Sequence, residues 1–375
     1  MVWANISPES YHEFVHLSIF GDITVHFLVQ DIFMVFFFAT AAVEIVEALQ
    51  PGGALNPIRR AINPLVATAG GVLGPIAVYF LLNSIIGAPE YANGWGIPTA
   101  TDIAIAWLVG KLVFGANHPA IKFLLLLAIV DDAIGLVIIA VFYPDPTTPV
   151  EPMWLLLCLA GMIIALVLNR LKVKNYWPYL LSAGVISWLG MSNAHIHPAL
   201  ALVIIVPFFP LPPRSVNADL FISSEDDKKF ALTRFMRDWK PVVDFGLFFF
   251  GLVNAGVQMS SVGTPTFMVA AALIVGKLLG VFIFGYVAIK IGFALPNGMG
   301  KRDLLVAGSV AGIGLTVALF VCTSAFVDPI IQGAAKMGAL FSVASAVLAF
   351  VLAKMLKIKK YKHGERPFSE KTDVV

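Results

Sequence analysis

Four charged residues lie inside stretches that are otherwise long and apolar enough to cross a bilayer. They are Asp102, the adjacent pair Asp131 and Asp132, and Lys277. A charged side chain at the bilayer centre costs roughly 2.5–3.5 kcal/mol even on insertion scales, and such residues are typical of ion or proton pathways. These residue types therefore predict the binding and release of a cation or a proton within a membrane.

The two adjacent acids cannot play the same part. Successive helical side chains point about 100° apart, so Asp131 and Asp132 do not face one cavity equally. An ionised carboxylate can hold a hard cation such as Na⁺, for which oxygen ligands are suited, or it can hold a proton. Competition between the two would couple their fluxes. The alternative is a structural pair of acids neutralised by Lys277.

Two apolar stretches contain residues that interrupt helices, IPTATD at 97–102 and GIGLT at 312–316. Irregular backbone at membrane depth persists only where it is buried in protein or lines a cavity. We therefore predict two discontinuous helices, whose broken backbone includes Pro98, Thr99, Gly312, Gly314 and Thr316.

Broken helices expose partial charges at their ends. Asp102 can offset the positive N-terminal ends, and Lys277 can offset the negative C-terminal ends. The alternative for Asp102 is a purely structural helix cap.

Composition identifies the class of protein that contains these residues. Of 375 residues, 59% are hydrophobic and 13% are charged, and the mean hydropathy is +0.87. We predict an all-α polytopic membrane protein with about eleven transmembrane helices, since a span needs about 20 apolar residues. Interruptions in corresponding spans of the two halves predict inverted-topology repeats with two crossed discontinuous helices. The predicted spans are 24–49, 63–87, 97–114, 119–142, 152–170, 176–193, 195–210, 241–257, 264–290, 303–326 and 330–356.

The positive charges predict the orientation of the spans. All of the 25 Lys and Arg except Lys277 and Lys336 fall on one side of this segmentation. The positive-inside rule makes that side cytoplasmic. We therefore expect the C-terminus in the cytoplasm and the N-terminus outside.

The same segmentation predicts the domain organisation. We expect two core repeats, a panel or interface domain that includes a polar cytoplasmic linker, and two terminal segments, the first with a possible short hairpin. The core repeats are 63–142 and 264–356. The panel or interface domain is 23–50 with 150–257, and its linker is 212–240. The terminal segments are 1–22, which contains the possible hairpin, and the cytoplasmic tail 357–375. Cys158 and Cys322 lie far apart within predicted spans and are expected to be core residues, without a disulfide.

Five motifs in order resemble the NhaA family of sodium/proton antiporters. They are IPTATDIA at 97–104, LAIVDDAIG at 127–135, NAGV at 254–257, GKLLG at 276–280 and GIGLT at 312–316. The likeness runs from about Asp31 to about residue 350. It implies exchange of Na⁺ or Li⁺ for protons across the bacterial cytoplasmic (inner) membrane, with a role in pH homeostasis.

The resemblance also implies roles for individual residues. Thr101 and Asp102 would belong to the crossed, unwound chains. Asp132 would be the principal carrier of the cation and the proton, with Na⁺ held at Asp132 and Asp131, and Asp131 would also pair with Lys277. The expected partners are monovalent cations, protons, the lipid bilayer and a second copy in a homodimer. No cofactor and no nucleic acid are expected.

Other positions match this family less firmly. Asp31, Glu44 and Glu47 could line a cation-attracting funnel, although interface charge or capping explains them as well. His197 and Asn254 are candidates for structural or regulatory roles. Well-known members of the family begin with a further helix that we expect this chain to lack. Ala48 replaces an acid, and RFMRDWKP at 234–241 replaces an acid-rich and His-rich entry, which affects pH sensing more than transport.

Three other functions fit some of these features. A sodium-coupled symporter of a small organic anion would share the architecture but favour a polar substrate pocket over bare acids. An intramembrane aspartyl protease needs two aspartates on different helices, whereas two acids are adjacent here. A passive cation channel would need neither a membrane lysine nor paired broken helices.

Overall fold

A computed structural model describes residues 1–21, 23–56, 58–144, 148–211 and 230–360. Within these ranges the chain is mostly helical. The α-helices are α1 (Val2–Ile6), α2 (Pro8–Val15), α3 (Val25–Phe27), α4 (Met34–Leu49), α5 (Ile58–Ile86), α6 (Ile103–Phe114), α7 (Pro119–Phe142), α8 (Leu155–Arg170), α9 (Val185–Asn193), α10 (Ala231–Asn254), α11 (Thr264–Ala271), α12 (Lys277–Ile291), α13 (Lys301–Ala311), α14 (Thr316–Ala325), α15 (Pro329–Phe341) and α16 (Ala344–Met355).

Helical segments of other pitch join or extend several of these α-helices. Wider π-helical turns form at Leu28–Phe33, Tyr179–Gly184 and Ala272–Gly276, each directly before an α-helix. Tighter 3₁₀ turns form at Pro89–Thr99, Pro152–Trp154, Pro198–Leu200, Val206–Phe208 and Met259–Ser261. The π turn at Ala272–Gly276 directly precedes Lys277, one of the charged residues that the sequence places inside a span, and π turns are frequent at functional sites.

In the described part of the chain, six helices are long and apolar enough to cross a membrane. They are Val25–Leu49, Ala61–Ile86, Pro119–Phe142, Pro152–Arg170, Thr264–Ile291 and Pro329–Met355. Two further pairs qualify if each is counted as one bent span, which brings the number to eight. Pro89–Thr99 and Ile103–Phe114 are bent by 58°, and Lys301–Ala311 and Thr316–Ala325 by 49°. The chain is therefore a multi-pass membrane protein.

The surface of α8 has the composition of a lipid-facing surface. Leu156, Leu159 and Ile163 are 64%, 52% and 53% exposed. Residues with these spacings share one helical face. A row of large exposed apolar side chains would be costly in water, and hydrocarbon removes that cost.

Some predicted boundaries differ from the structure. The region 195–210 forms 3₁₀ turns instead of the regular helix predicted there, since Pro198 and Pro207 supply no backbone N–H group to an α-helical ladder. The span predicted to begin at 241 begins at Ala231, with Pro241 inside α10, so the end of the predicted linker 212–240 is helical. Most of that linker, and residues 361–375 of the predicted tail, lie outside the described residues.

The N-terminal segment contains more structure than the short hairpin predicted there. Helices α1 and α2 precede strands β1 (Ser18–Phe20) and β2 (Ile23–Thr24), which pair antiparallel with Ser18 opposite Thr24. Gly21 in the connecting turn has φ of +56°, a conformation that glycine adopts without strain. Asp22, the other half of the predicted GlyAsp turn, lies outside the described residues.

The chain divides into two compact units. The first unit comprises Met1–Pro57, Ala133–Gly263 and Leu319–Met337, and the second comprises Ile58–Asp132, Thr264–Ala318 and Gly338–Val375. Each unit has its own apolar core. The first core includes Ala39, Tyr179 and Phe235, and the second includes Phe114, Val281 and Val310. Boundaries between the units fall within α7, α14 and α15 and do not coincide with the limits 63–142 and 264–356, so these repeats remain a prediction.

Within the second unit, α5 and α12 pack through glycines. A Cβ atom at Gly280 would overlap the carbonyl oxygen of Gly70, and a Cβ atom at Gly74 would overlap that of Gly276. Small residues let membrane helices approach this closely. This contact positions α12, whose first residue is Lys277.

Gly280→Ala should destabilise the protein, because the new methyl group meets rigid backbone and the two helices must separate. We expect a loss of about 1–3 kcal/mol of unfolding free energy, measured by thermal unfolding of the purified protein in detergent. The matched control is Gly251→Ala in α10, where a Cβ atom meets nothing within 4 Å. That control should be neutral or stabilising. Equal unfolding temperatures for the two variants would contradict this account of the packing.

Candidate functional site

The two broken spans meet at their interruptions in the second unit. The backbone N–H of Asp102 donates to the carbonyl oxygen of Ile313 at 2.7 Å. The hydroxyl of Thr101 donates to the carbonyl oxygen of Ala311 at 2.8 Å. Each interruption therefore satisfies backbone groups that the other leaves without a helical partner.

Asp102 caps two helices with one carboxylate. Its Oδ1 atom accepts from the backbone N–H of Ile105 at 3.0 Å, at the start of α6. Its Oδ2 atom accepts from the backbone N–H of Thr316 at 3.3 Å and from the Thr316 hydroxyl, at the start of α14. The positive ends of two half-helices thus share one negative charge, which lowers the cost of placing them together.

Asp102→Ala should remove both caps at once. A lost N-cap costs about 1 kcal/mol, so we expect unfolding free energy to fall by about 2 kcal/mol or more. Asp102→Asn keeps a capping oxygen and should be much less destabilising. Thermal unfolding of both variants in detergent checks the order. If the alanine variant is as stable as the asparagine variant, the double cap is not an important source of stability.

Lys277 forms a buried ion pair with Asp131. Its Nζ atom donates to Oδ2 of Asp131 at 2.6 Å and to the carbonyl oxygen of Thr99 at 2.5 Å. Both charged side chains have 0% exposed surface. Since Thr99 is the last residue of the first half-helix, the ammonium group also compensates the negative end of that helix.

Asp132 follows Asp131 on α7 and is also buried, with 7% of its surface exposed. The two acids differ in their surroundings, because the hydrogen bonds of Lys277 go to Asp131 and Thr99. The described residues contain no group of three or more His, Cys, Asp or Glu side chains that could hold a metal ion. Asp132 therefore offers a carboxylate without two further His, Cys, Asp or Glu ligands in the described part of the chain.

The observed interruptions of the two spans are slightly displaced from the residues at which the sequence predicts them. Pro98 and Thr99 end the first 3₁₀ segment, and the interruption follows at residues 100–102. Gly312 and Gly314 lie in the second interruption, where the Gly314 N–H donates to Oγ of Ser342 at 3.3 Å. Thr316 is the first residue of α14.

The structure thus brings Asp131, Lys277 and Thr99 together, and also Thr101, Asp102 and Thr316. Ser342, which sequence reasoning missed, supports the second interruption.

The other predicted residues lie in the first unit. Nε2 of His197 lies 2.6 Å from the Ser324 hydroxyl, and its ring contacts Phe320. The carbonyl oxygen of Asp31 accepts from the Trp188 ring N–H at 3.3 Å. Glu44 is half-buried on α4, and Glu47 lies one turn further on.

Asn254 belongs to a polar network within the first unit that sequence reasoning missed. Its Nδ2 atom donates to Gln30 Oε1 at 3.4 Å, and its Oδ1 atom accepts from Lys336 Nζ at 3.4 Å. Gln30 also donates to the Thr323 hydroxyl at 3.0 Å. The available signal was the presence of Gln30 and Lys336 in otherwise apolar spans, the same signal that identified Lys277.

A multi-pass helical protein with two touching broken spans and a buried acid beside an acid–lysine pair has the features of a secondary ion transporter. Its fold matches that of the sodium proton antiporter MjNhaP1 from Methanocaldococcus jannaschii at pH 8, with a TM-score of 0.58 and 16% sequence identity over 89% of this chain and 86% of that chain.

The sequence matches the family Na⁺/H⁺ antiporter 1 over residues 1–353. It is 60% identical to a Na⁺/H⁺ antiporter NhaA of Desulfitobacterium hafniense, over 96% of this chain and 92% of the relative. It is 58% identical to the NhaA of Geotalea uraniireducens, over 97% and 94% of the two chains. The chain belongs to the Na⁺/H⁺ antiporter 1 family. It is a secondary transporter with Na⁺ and protons as substrates, and it is not an enzyme.

Proposed function

We propose that this antiporter exchanges Na⁺ or Li⁺ for protons through competition at Asp132. The observation that carries this proposal is the 2.6 Å ion pair between Lys277 and Asp131. It makes the two adjacent buried acids unequal, because Asp131 is bonded directly to the lysine, and we assign the exchange of cation and proton to Asp132. Asp132 then alternates between an ionised form that holds the cation and a protonated form that does not.

Oxygen chemistry supports Na⁺ as the cargo. A hard monovalent cation binds carboxylate, hydroxyl and carbonyl oxygens, and Asp132, Asp131 and Thr101 supply such atoms in the second unit. The proton is the competing cargo at the same carboxylate. The proposed mechanism needs no cofactor.

We further propose that the architecture is that of an alternating-access transporter. The repeats would be 63–142 and 264–356, related by inverted topology, and their discontinuous helices would cross at the hydrogen-bonded interruptions described above. The remaining spans, in 23–50 and 150–257, would form a panel that brings the number of transmembrane helices to eleven. The protein would lie in the bacterial inner membrane as a homodimer surrounded by lipid, with its N-terminus outside and its C-terminus in the cytoplasm.

A proteoliposome assay with a trapped pH-sensitive dye tests this function. Adding Na⁺, Li⁺ and K⁺ in turn at several pH values should release the imposed proton gradient with Na⁺ and Li⁺. The matched control is protein-free liposomes of the same lipid composition. If Na⁺ moves without any proton flux, the protein is not working as an antiporter. A requirement for an added organic anion would favour a symporter.

A further inference from the structure

Helix α2, the second helix of the chain, and the residue that follows it contain a histidine motif outside the site described above. Residues 12–16 read HEFVH, two histidines four positions apart with a glutamate between them. The backbone N–H of His16 donates to the carbonyl oxygen of His12 at 3.0 Å, so helical register continues to His16. Both histidines are exposed, and their ring centroids lie 4.3 Å apart. Histidines with this spacing on one helical face are a recurrent zinc-binding arrangement.

A third histidine lies next to this pair. The ring of His26, in α3, stacks nearly parallel to that of His16, at 6.3 Å between centroids and 16° between planes. His26 is half-buried at the start of the span Val25–Leu49. All three imidazoles belong to the first unit, and they come from two helices separated by the β1–β2 hairpin.

Hydrogen bonds from α1 and α2 to residues 252–257 anchor the helix that contains the histidine pair. The Tyr11 hydroxyl donates to the carbonyl oxygens of Leu252 and Val253 at 2.9 and 2.5 Å. Burial raises the pKa of Tyr11 to about 12, so the phenol remains a donor at any physiological pH. Asn5, on α1, donates to the carbonyl oxygen of Val257 at 3.0 Å. Anchoring of this kind reduces the entropy lost when neighbouring side chains bind an ion.

We propose that His12 and His16 bind a divalent transition-metal ion of the zinc class, with His26 as a third ligand. Imidazole nitrogens suit Zn²⁺, Cu²⁺ and Ni²⁺ but not the alkali cations that the transporter carries. No three ligands converge on one point among the described residues. The ring of His26 must therefore turn toward the His12–His16 pair when the ion binds, with water completing a tetrahedral shell. The bound ion would link α2 to the start of the first span.

Calorimetric titration of the full chain with ZnCl₂ tests the site, using protein purified in detergent without a polyhistidine tag. The titration is run at about pH 7.5, because a metal ion binds the neutral form of an imidazole. We expect one saturable zinc site per chain. His12→Gln and His16→Gln should each weaken zinc binding at least ten-fold, and His26→Gln should weaken it several-fold.

The control variant is His195→Asn, which removes a histidine elsewhere in the chain. His195 has φ of +58°, a conformation that asparagine tolerates. This variant should bind zinc like the unmodified protein. Unfolding temperatures without zinc should match in all variants, whereas zinc should raise the unfolding temperature of the unmodified protein more than that of His12→Gln. No zinc binding by the unmodified protein, or unchanged affinity in both His12→Gln and His16→Gln, would overturn the proposal.

Discussion

Asp132→Asn abolishes Na⁺-driven proton movement in proteoliposomes if Asp132 is the shared carrier. The amide has nearly the same shape as the carboxyl group, but it cannot alternate between an ionised and a protonated state. We expect dye-reported exchange to fall to the level of empty liposomes at every pH. Because only charge is removed, the thermal unfolding temperature should change little.

Two variants sharpen this test. Asp244→Asn changes an acid that is 59% exposed on α10, and it should leave exchange intact. Asp131→Asn should reduce exchange but leave some of it, since Asp131 acts mainly as the partner of Lys277. Sodium-driven proton movement that survives in Asp132→Asn would assign the carrier role to another residue.

Lys277→Met should strongly destabilise the protein, because it leaves Asp131 buried without its counter-charge. Removing one partner of a buried ion pair costs about 3–5 kcal/mol. We expect a large drop in the thermal unfolding temperature in detergent. Transport should fall as well, because a proton or a cation would then have to neutralise Asp131.

A double-mutant cycle separates the pair from other effects of the lysine. Lys277→Met combined with Asp131→Asn removes both charges, so most of the lost stability should return. The surface control is Lys240→Met, since Lys240 pairs with Asp244 at 3.4 Å and both side chains are largely exposed. That pair is worth about 0.5 kcal/mol or less. Additive losses in the double variant would mean that the Lys277–Asp131 contact is not the source of the cost.

Much of the fold follows from hydropathy alone. The bounds predicted for 119–142 and 152–170 agree with those of the observed spans, because each apolar run ends at proline or at charged or polar residues. The type of helical turn, whether 3₁₀, α or π, is less predictable from the sequence. Hydrophobic pattern does not distinguish a 3₁₀ or π turn from an α turn in a segment that is apolar on all sides, so the turns at 195–210 were missed. The early start of α10 was missed because charged residues at 231–240 were assigned to a linker.

The charged residues of the site are identifiable from the sequence because charged side chains are rare inside membrane spans. The free-energy cost of burying a charge in the bilayer is enough to identify Asp102, Asp131, Asp132 and Lys277. Their partners were harder to find. The contact of Lys277 with the Thr99 carbonyl oxygen involves a backbone atom, which no residue type reveals. The sharing of Asp102 between two helix ends depends on how the interruptions meet, and this is decided by packing at long range in the sequence.

The π turn at Ala272–Gly276 bears on the direction in which Lys277 points. A π turn holds one residue more than an α turn over the same length of helix, so it shifts the angular phase of everything that follows. If the same residues, with none removed, were wound as an ordinary α-helix, the lysine would be rotated by about 100° around the helix axis. The ammonium group would then point away from Asp131 while Gly280 and the rest of the close helix contact also lost register. One extra residue in the winding thus decides which neighbours the buried cation can reach.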